Sequence, residues 1–405
     1  MPTPEGSEKQ KFSAPLQENR RLLPKSTVIA YGRSYREVVM VDERVCYLGW
    51  QLLMPGAAKR VWHLFERFGS PTEAWKASEK QLVTVGGFTA DGARELALRR
   101  RSINPEAHLA YLEKKEVAFL SYNEPGYPDL LKKIFDPPPG LFVKGALTDS
   151  DTHLAAMVGS RKATRYGLAV AEKLAGELAG AGITVVSGLA KGIDTAAHRG
   201  ALSAGGRTVA VLGCGIDVGY PAENRKLKEE IALSGAVVSE FPLETPPQPW
   251  HFPVRNRIIS GLSAGVIIVE CAEKSGALIT ADFALDQGRE VMAVPGNITS
   301  DMSRGPNMLI RQGARPVENA GDVLEELGLD RLFSVAAPGE PSALLSPEEE
   351  AVRNTLSFDP ATLDHIVERS GLAAQRALAA LTFLEMKGYT RQLPGRLYVS
   401  SGKRF

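Results

Sequence analysis

From about residue 154 the chain repeats one pattern: a short apolar run, a glycine-bearing or polar turn, then an Ala-rich stretch with helical spacing. The runs are LAAMVGS, ITVVSG, RTVAVLG, AVVSEF, GVIIVECA and EVMAVPG, and between most of them lie segments such as YGLAVAEKLAGELAGAG and GALITADFALDQGR. Near-continuous Val, Ile and Leu, in place of strict alternation with polar residues, predicts strands buried on both faces. That is a mostly parallel sheet covered by helices, the Rossmann-like α/β class.

Different patterns flank this region. Residues 1–26 are rich in Pro, Ser, Glu and Lys and offer little to bury, so a disordered tail is expected. Residues 27–116 read as a helical domain. In it Leu52, Leu53, Val61, Leu64, Phe65 and Phe68 recur at helical spacing, and Gly69 with Pro71 ends the run. The segment KQLVTVGGFTADGARELALRRR predicts a helix, a turn at Gly86-Gly87 and a second helix. This resembles a helix-hairpin-helix or SAM-like arrangement, whose turn amides can hold a backbone phosphate. The same pattern fits a helical domain that uses glycine only to turn. Arg99 to Arg101 read as a solvated helix end. Residues 117–150 are loop-rich, with an extended connection at Pro137 to Pro139, and open an α/β domain spanning 117–330. A linker at 331–346 precedes three helical patterns and a hairpin turning at Pro394-Gly395, which predict a winged-helix domain over 347–405.

Composition narrows the functional classes. Length alone suggests two or three domains, at about 150 residues each. With 44% hydrophobic and 23% charged residues the chain reads as soluble and globular. A formal charge of +1 means that any polyanion must be held by local concentrations of base. Cys46, Cys214 and Cys271 are too far apart for a disulfide framework or a cysteine zinc knuckle. No run approaches the ~18 apolar residues of a membrane span. The polar start lacks a secretory apolar region, so a cytoplasmic location is expected.

In sheets of this class, ligands bind beyond the carboxyl ends of the strands. Those ends carry Gly159-Ser160-Arg161-Lys162, then Gly188 with Lys191-Gly192, then Gly213-Cys214-Gly215 with Arg225-Lys226. After the fourth strand comes a loop ending in Trp250-His251-Phe252-Pro253-Val254-Arg255-Asn256-Arg257. Helix-terminal amides and guanidinium groups together make an anion cradle, so the ligand should contain phosphate. The nucleophile elbow G-x-S-x-G, the zinc motif H-E-x-x-H and the phosphate loop G-x-x-x-x-G-K-[ST] are absent. In VAVLGCGIDVGYP the glycines lead into a loop where a dinucleotide fold would open a helix. Glu240 and Glu270 fit either a carboxylate pair or orienting partners for arginine.

The motifs MVGSR, SGLAKGIDTAAH, VLGCGIDVGYPAEN, SEFP, HFPVRNRIISGLS, SGALITADFAL and GREVMAVPGN stand in this order along the chain. Together they resemble the DNA-processing protein A family, also called DprA or Smf. The resemblance runs through the α/β domain and is less specific in its flanks. It implies a non-enzymatic protein of natural transformation, with no cofactor and no metal. Such a protein binds single-stranded DNA, forms a homodimer through the α/β domain, and loads RecA recombinase in place of single-strand-binding protein.

A single strand needs backbone amides and positive charge, with aromatic faces for bases. Gly159, Ser160 and Gly192 supply amides. Arg161, Lys162, Lys191, Arg225, Lys226, Arg255 and Arg257 supply charge, and Trp250, His251 and Phe252 supply faces. By resemblance, Arg161 holds a phosphate and Phe252 a base. Family members can carry Lys three positions before that phenylalanine, whereas this chain has Pro249. Arg255 and Arg257 fit a structural role through Glu240 or Glu270 as well as a phosphate contact. By resemblance again, the dimer contact falls around Met308, Leu309 and Ile310, for which burial against the sheet is the competing reading.

Two rivals remain at this point. Nucleotide-cleaving enzymes of the lysine-decarboxylase-like group share the sheet, but their P-G-G-x-G-T-x-x-E is replaced by Ser275-Gly276-Ala277-Leu278-Ile279-Thr280. A winged-helix transcription factor needs several base-reading side chains on its recognition helix, which here offers little beyond Gln375 and Arg376.

Overall fold

Strand parity organises the core. Along β3 (Leu154–Val158), Ala155 and Met157 join one buried cluster while Leu154, Ala156 and Val158 join another on the opposite face. Both faces are covered by helices, which is why the strands read as unbroken apolar runs. The computed structural model describes residues 43–148, 151–330 and 345–401. The expected tail (1–26), the first part of the expected helical domain (27–42) and nearly all of the expected linker (331–344) lie outside the described residues.

The described residues open with six helices: α1 (Glu43–Leu53), α2 (Ala58–Phe68), α3 (Pro71–Lys76), α4 (Glu79–Thr84), α5 (Ala90–Arg101) and α6 (Pro105–Lys114). Local signals set their ends. Ser70, Ser78, Thr89 and Asn104 each cap a following helix through a side-chain oxygen, and Gly69 closes α2 in the left-handed conformation. Trp50, Leu64 and Leu82 from these helices share one cluster with Phe142, Leu212 and Leu243. The helical region is thereby welded to the sheet.

Next come β1 (Ala118–Ser121), α7 (Asp129–Lys132) and β2 (Gly140–Gly145), then the β/α alternation proper. After β3 it runs α8 (Arg165–Gly180), β4 (Thr184–Ser187), α9 (Ile193–Ser203), β5 (Thr208–Leu212), α10 (Arg225–Ser234) and β6 (Ala236–Ser239). It continues α11 (His251–Leu262), β7 (Gly265–Ile268), α12 (Gly276–Asp286), β8 (Glu290–Ala293), α13 (Arg304–Arg311), β9 (Arg315–Pro316) and α14 (Ala320–Glu326). The nine strands lie in the order β1-β2-β6-β5-β4-β3-β7-β8-β9. From β6 to β9 all neighbours are parallel, whereas β1–β2 and β2–β6 are antiparallel.

Two local expectations need correction. Residues 117–150, read as loop-rich, contribute the two antiparallel strands, which makes the sheet mixed. Runs as short as AFLS and GLFVKG carry too little periodicity to stand out beside so many prolines. The motif from His251 to Arg257, read as a loop, forms the first turns of α11. Trp250 gives no side-chain cap there, and Pro253 is tolerated because the first turn needs no internal N–H partner.

After the linker come α15 (Pro347–Arg353), β10 (Ala361–Thr362), α16 (Leu363–Ser370), α17 (Ala374–Met386), β11 (Thr390–Leu393) and β12 (Leu397–Ser400). The hairpin β11–β12 is joined by β10 in a three-stranded sheet, and three helices pack around Ile366, Leu381 and Leu384. This is a winged-helix domain.

Candidate functional site

Above the carboxyl ends of β3, β4 and β5 lies a cavity of about 130 Å³. Its wall includes Arg161 from the loop after β3, Lys191 from the loop after β4, Gly213 after β5, Tyr220, and Phe252 and Arg255 from α11. The Arg161 guanidinium carbon sits 5.0 Å from the centre of the Phe252 ring. Tyr220 lies 5.6 Å from the same ring, tilted by 35°. One aromatic face thus carries a cation above it and a second aromatic beside it, an arrangement that suits a base and its phosphate together.

Glycine permits the loops to close this tightly. A Cβ on Gly159 would lie 2.6 Å from Ile193 Cγ1, and one on Gly192, whose φ is +80°, would lie 2.2 Å from the Ser160 carbonyl oxygen. The Ser160 amide donates to Glu270 O (2.6 Å), and its hydroxyl accepts from the Lys162 amide (3.0 Å). Gly159, Ser160 and Gly192 therefore shape the loop around Arg161 and do not themselves line the cavity.

Arg255 is buried, and one amino group of its guanidinium donates to the carbonyls of Gly188 (2.7 Å) and Val211. It ties the ends of β4 and β5 together while still forming part of the cavity wall. Burial lowers its pKa to about 10, with Asp194 acting against that shift and Arg161 adding to it. Asp194, in the first turn of α9, accepts from the Ala190 amide (3.2 Å), and burial holds its carboxyl above the usual range despite Arg255.

Arg257 takes the structural role. It is 3% exposed and pairs with Glu240 (2.7 Å) and Asp136 (3.2 Å). Glu270 receives the Thr164 amide (2.8 Å) and hydroxyl (2.7 Å) and so holds the start of α8. Both carboxylates orient neighbouring groups, and neither lines the cavity. His251 stacks on Phe241 at 4.0 Å and turns Nδ1 toward Gly213 O (3.1 Å), which fixes the start of α11.

The other named residues lie off the cavity wall. Lys162, Arg225 and Lys226 are exposed beyond it, with Arg225 against Gly219. Trp250 stands 55% exposed, its ring edge-on to Phe241 and His251. Leu309 belongs to the buried cluster under the sheet, Ile310 packs against that cluster, and Met308 is half-buried. In the Gly86-Gly87 turn, the Gly86 and Phe88 amides donate to Gln81 O and Leu82 O, within the hairpin. Arg99 and Arg100, read as a solvated end, donate to Leu53 O (2.8 Å) and Ala77 O (2.7 Å) and brace the helical region.

Sequence reasoning passed over two residues here. Tyr220 is plain in the motif, but nothing local says that it folds beside Phe252. Glu223, on the turn before α10, pairs with Lys191 across the mouth of the cavity.

The fold defines a class: a Rossmann-like core carrying helical and winged-helix accessory domains. Residues 118–328 match the DNA recombination-mediator protein A family, and residues 336–396 match the DprA winged helix domain. The chain is 33% identical over 392 residues to Protein Smf of Synechocystis, covering 88% of this chain and 98% of that one. It is 43% identical over 262 residues to the DNA processing protein DprA of Bacillus subtilis, covering 62% and 88% respectively. The X-ray structure of DprA from Streptococcus pneumoniae aligns with a TM-score of 0.61 at 36% identity, over 69% of this chain and 97% of that one. The chain belongs to the DNA recombination-mediator protein A family, the DprA/Smf proteins.

Proposed function

We propose that this protein binds single-stranded DNA, with a phosphate at Arg161 and Lys191 and a base against Phe252. The Arg161 guanidinium over the Phe252 ring carries the reading. A sequence-tolerant grip on a single strand combines a cation for the backbone with an aromatic face that any base can stack on. Duplex DNA hides its base faces inside the helix and cannot use Phe252. The cavity wall contains no Asp, Glu or His, which supports a binding role over cleavage of an N-glycosidic bond.

The family supplies the wider role in the proposal. The strand is incoming DNA in natural transformation, protected by this protein in the cytoplasm, and RecA recombinase is loaded onto it in place of single-strand-binding protein. A homodimer through the later part of the α/β domain belongs to the same reading. Ile279 and Leu285 on α12 and Ile298 after β8 are exposed large apolar side chains there, while Leu309 is committed to the core.

The test compares single-stranded and duplex oligonucleotides of one sequence, with wild-type protein and Arg161→Ala. Single strands should bind more tightly, and the variant should lose that preference. Equal affinity for both forms, or a defined duplex operator, would overturn the reading.

A further inference from the structure

Outside the cavity, exposed aromatic and basic side chains continue in a line that the pocket alone does not explain. Trp250 is two residues before Phe252, and more than half of it is exposed. The turn between α1 and α2 packs directly against it: a Cβ on Gly56, whose φ is +72°, would lie 3.4 Å from Trp250 Cζ3. From that turn α2 begins with Lys59 and Arg60, both exposed, and no acidic residue stands in its first turn. Lys59 sits where the helix dipole disfavours a cation, and its neighbour Arg60 lies over the buried Phe88 ring, 4.1 Å from its centre.

The line ends at Phe135. Its ring is 83% exposed, the most exposed aromatic side chain among the described residues, and Lys59 Nζ lies 5.3 Å from its centre. Lys133, two residues earlier, is exposed as well. The patch is anchored, because Trp62 on α2 donates to Pro137 O (2.6 Å) and fixes the helix to the Phe135 segment. The nearby acid, Asp136, is paired with the buried Arg257.

We propose that a single strand leaving the Arg161–Phe252 cavity continues over Trp250 and the α1–α2 turn to Phe135, so that the helical region holds part of the DNA. The inference rests on the single-strand reading of the cavity. Alternating cations and exposed rings, continuous with a phosphate-binding cavity, form the surface that a flexible polyanion with stackable bases requires. An apolar peptide would gain nothing from Lys59, Arg60 and Lys133, and a duplex would gain nothing from the rings.

The experiment measures affinity against oligonucleotide length for three proteins: wild type, Arg161→Ala and the double variant Lys59→Ala/Phe135→Ala. Both residues of the pair are on the surface, so circular dichroism should be unchanged. Oligonucleotides of about four nucleotides should bind the double variant and wild type alike, while Arg161→Ala loses them. With oligonucleotides of about sixteen nucleotides the double variant should bind about fivefold or more weakly. Its log-log salt slope should be smaller in magnitude by about 0.7, one phosphate fewer. Wild-type affinity and salt slope in the double variant at every length would overturn the path, including the case in which the patch serves a protein instead. Unchanged short-oligonucleotide binding in Arg161→Ala would instead strike the cavity reading, a separate failure.

Discussion

Lys191 and Glu223 form an ion pair at the mouth of the cavity, joining the loop after β4 to the turn before α10. Both side chains are well exposed, and the lysine hydrogen bond holds the Glu223 carboxyl below its ordinary range. On the proposed single-strand reading, a DNA phosphate competes with this carboxylate for the lysine. Glu223→Gln should therefore raise affinity for single strands about two- to fivefold, the range of an exposed pair. Lys191→Ala should cost less than Arg161→Ala, because Lys191 gives up a partner when it binds. Fluorescence anisotropy with a labelled oligonucleotide checks both, and a weaker-binding Glu223→Gln would contradict the competition.

Phe252→Ala should weaken single-strand binding by about 1–3 kcal/mol, the range for losing one base–aromatic stack. Phe252→Tyr keeps the face and should bind nearly as wild type. If about four phosphates are neutralised, the log-log salt slope should be near −3, at roughly −0.7 per phosphate. Titrations at several salt concentrations measure both quantities; equal affinities for wild type and Phe252→Ala would remove the ring from the site.

Arg257 and Glu240 are a buried pair, so removing one partner strands a charge. Burial already pushes the Glu240 carboxyl up against the opposing pull of Arg257. Arg257→Met should destabilise the fold by about 3–5 kcal/mol, and Arg257→Met/Glu240→Met should recover much of the loss. Urea unfolding of the three proteins tests this. A single variant as stable as wild type would show that the pair contributes little.

His198 supplies a pH dependence with a definite sign. It is fully buried, and Nδ1 meets Thr208 Oγ1 at 2.7 Å. The Thr208 proton goes to Val185 O (2.7 Å), so the histidine donates from Nδ1, and its buried Nε2 meets no hydrogen-bond partner among the described residues. Burial, helped by Arg255, lowers its pKa to about 3. The unfolded chain therefore takes up this proton near pH 6.5 while the folded chain does not, and stability falls as pH falls below that point. Between pH 7.5 and 5.5 this one group should remove about 1.4 kcal/mol of stability. The difference between the two pH values should shrink by that amount in His198→Leu; an unchanged difference would assign the acid sensitivity elsewhere.

The central strands and their helices were legible in the sequence because their causes are local. Short Val- and Ile-rich runs bounded by glycine turns read as strands covered on both sides, and Thr164 or Ser275 caps the helix that follows. The loops after those strands were legible for the same reason: glycine and arginine side by side at a strand end mark a candidate anion site. The antiparallel strands β1 and β2 were not, since such short strands are recruited by the neighbours they pair with, and Val143 of β2 meets Val238 across 95 positions of sequence.

Among the arginines the division is sharper. Arg161, Arg255 and Arg257 look alike in sequence, yet Arg161 stands over an aromatic ring, Arg255 ties together two strand ends and Arg257 is buried against two carboxylates. A guanidinium is a donor whose role depends on the acceptor that meets it. The acceptors at Gly188, Val211, Asp136 and Glu240 come from distant parts of the chain. Sequence determined that this protein would gather cations, amides and rings above a parallel sheet. Tertiary packing alone decided which cations remain available to a ligand, because burial and pairing are properties of the space between chain segments.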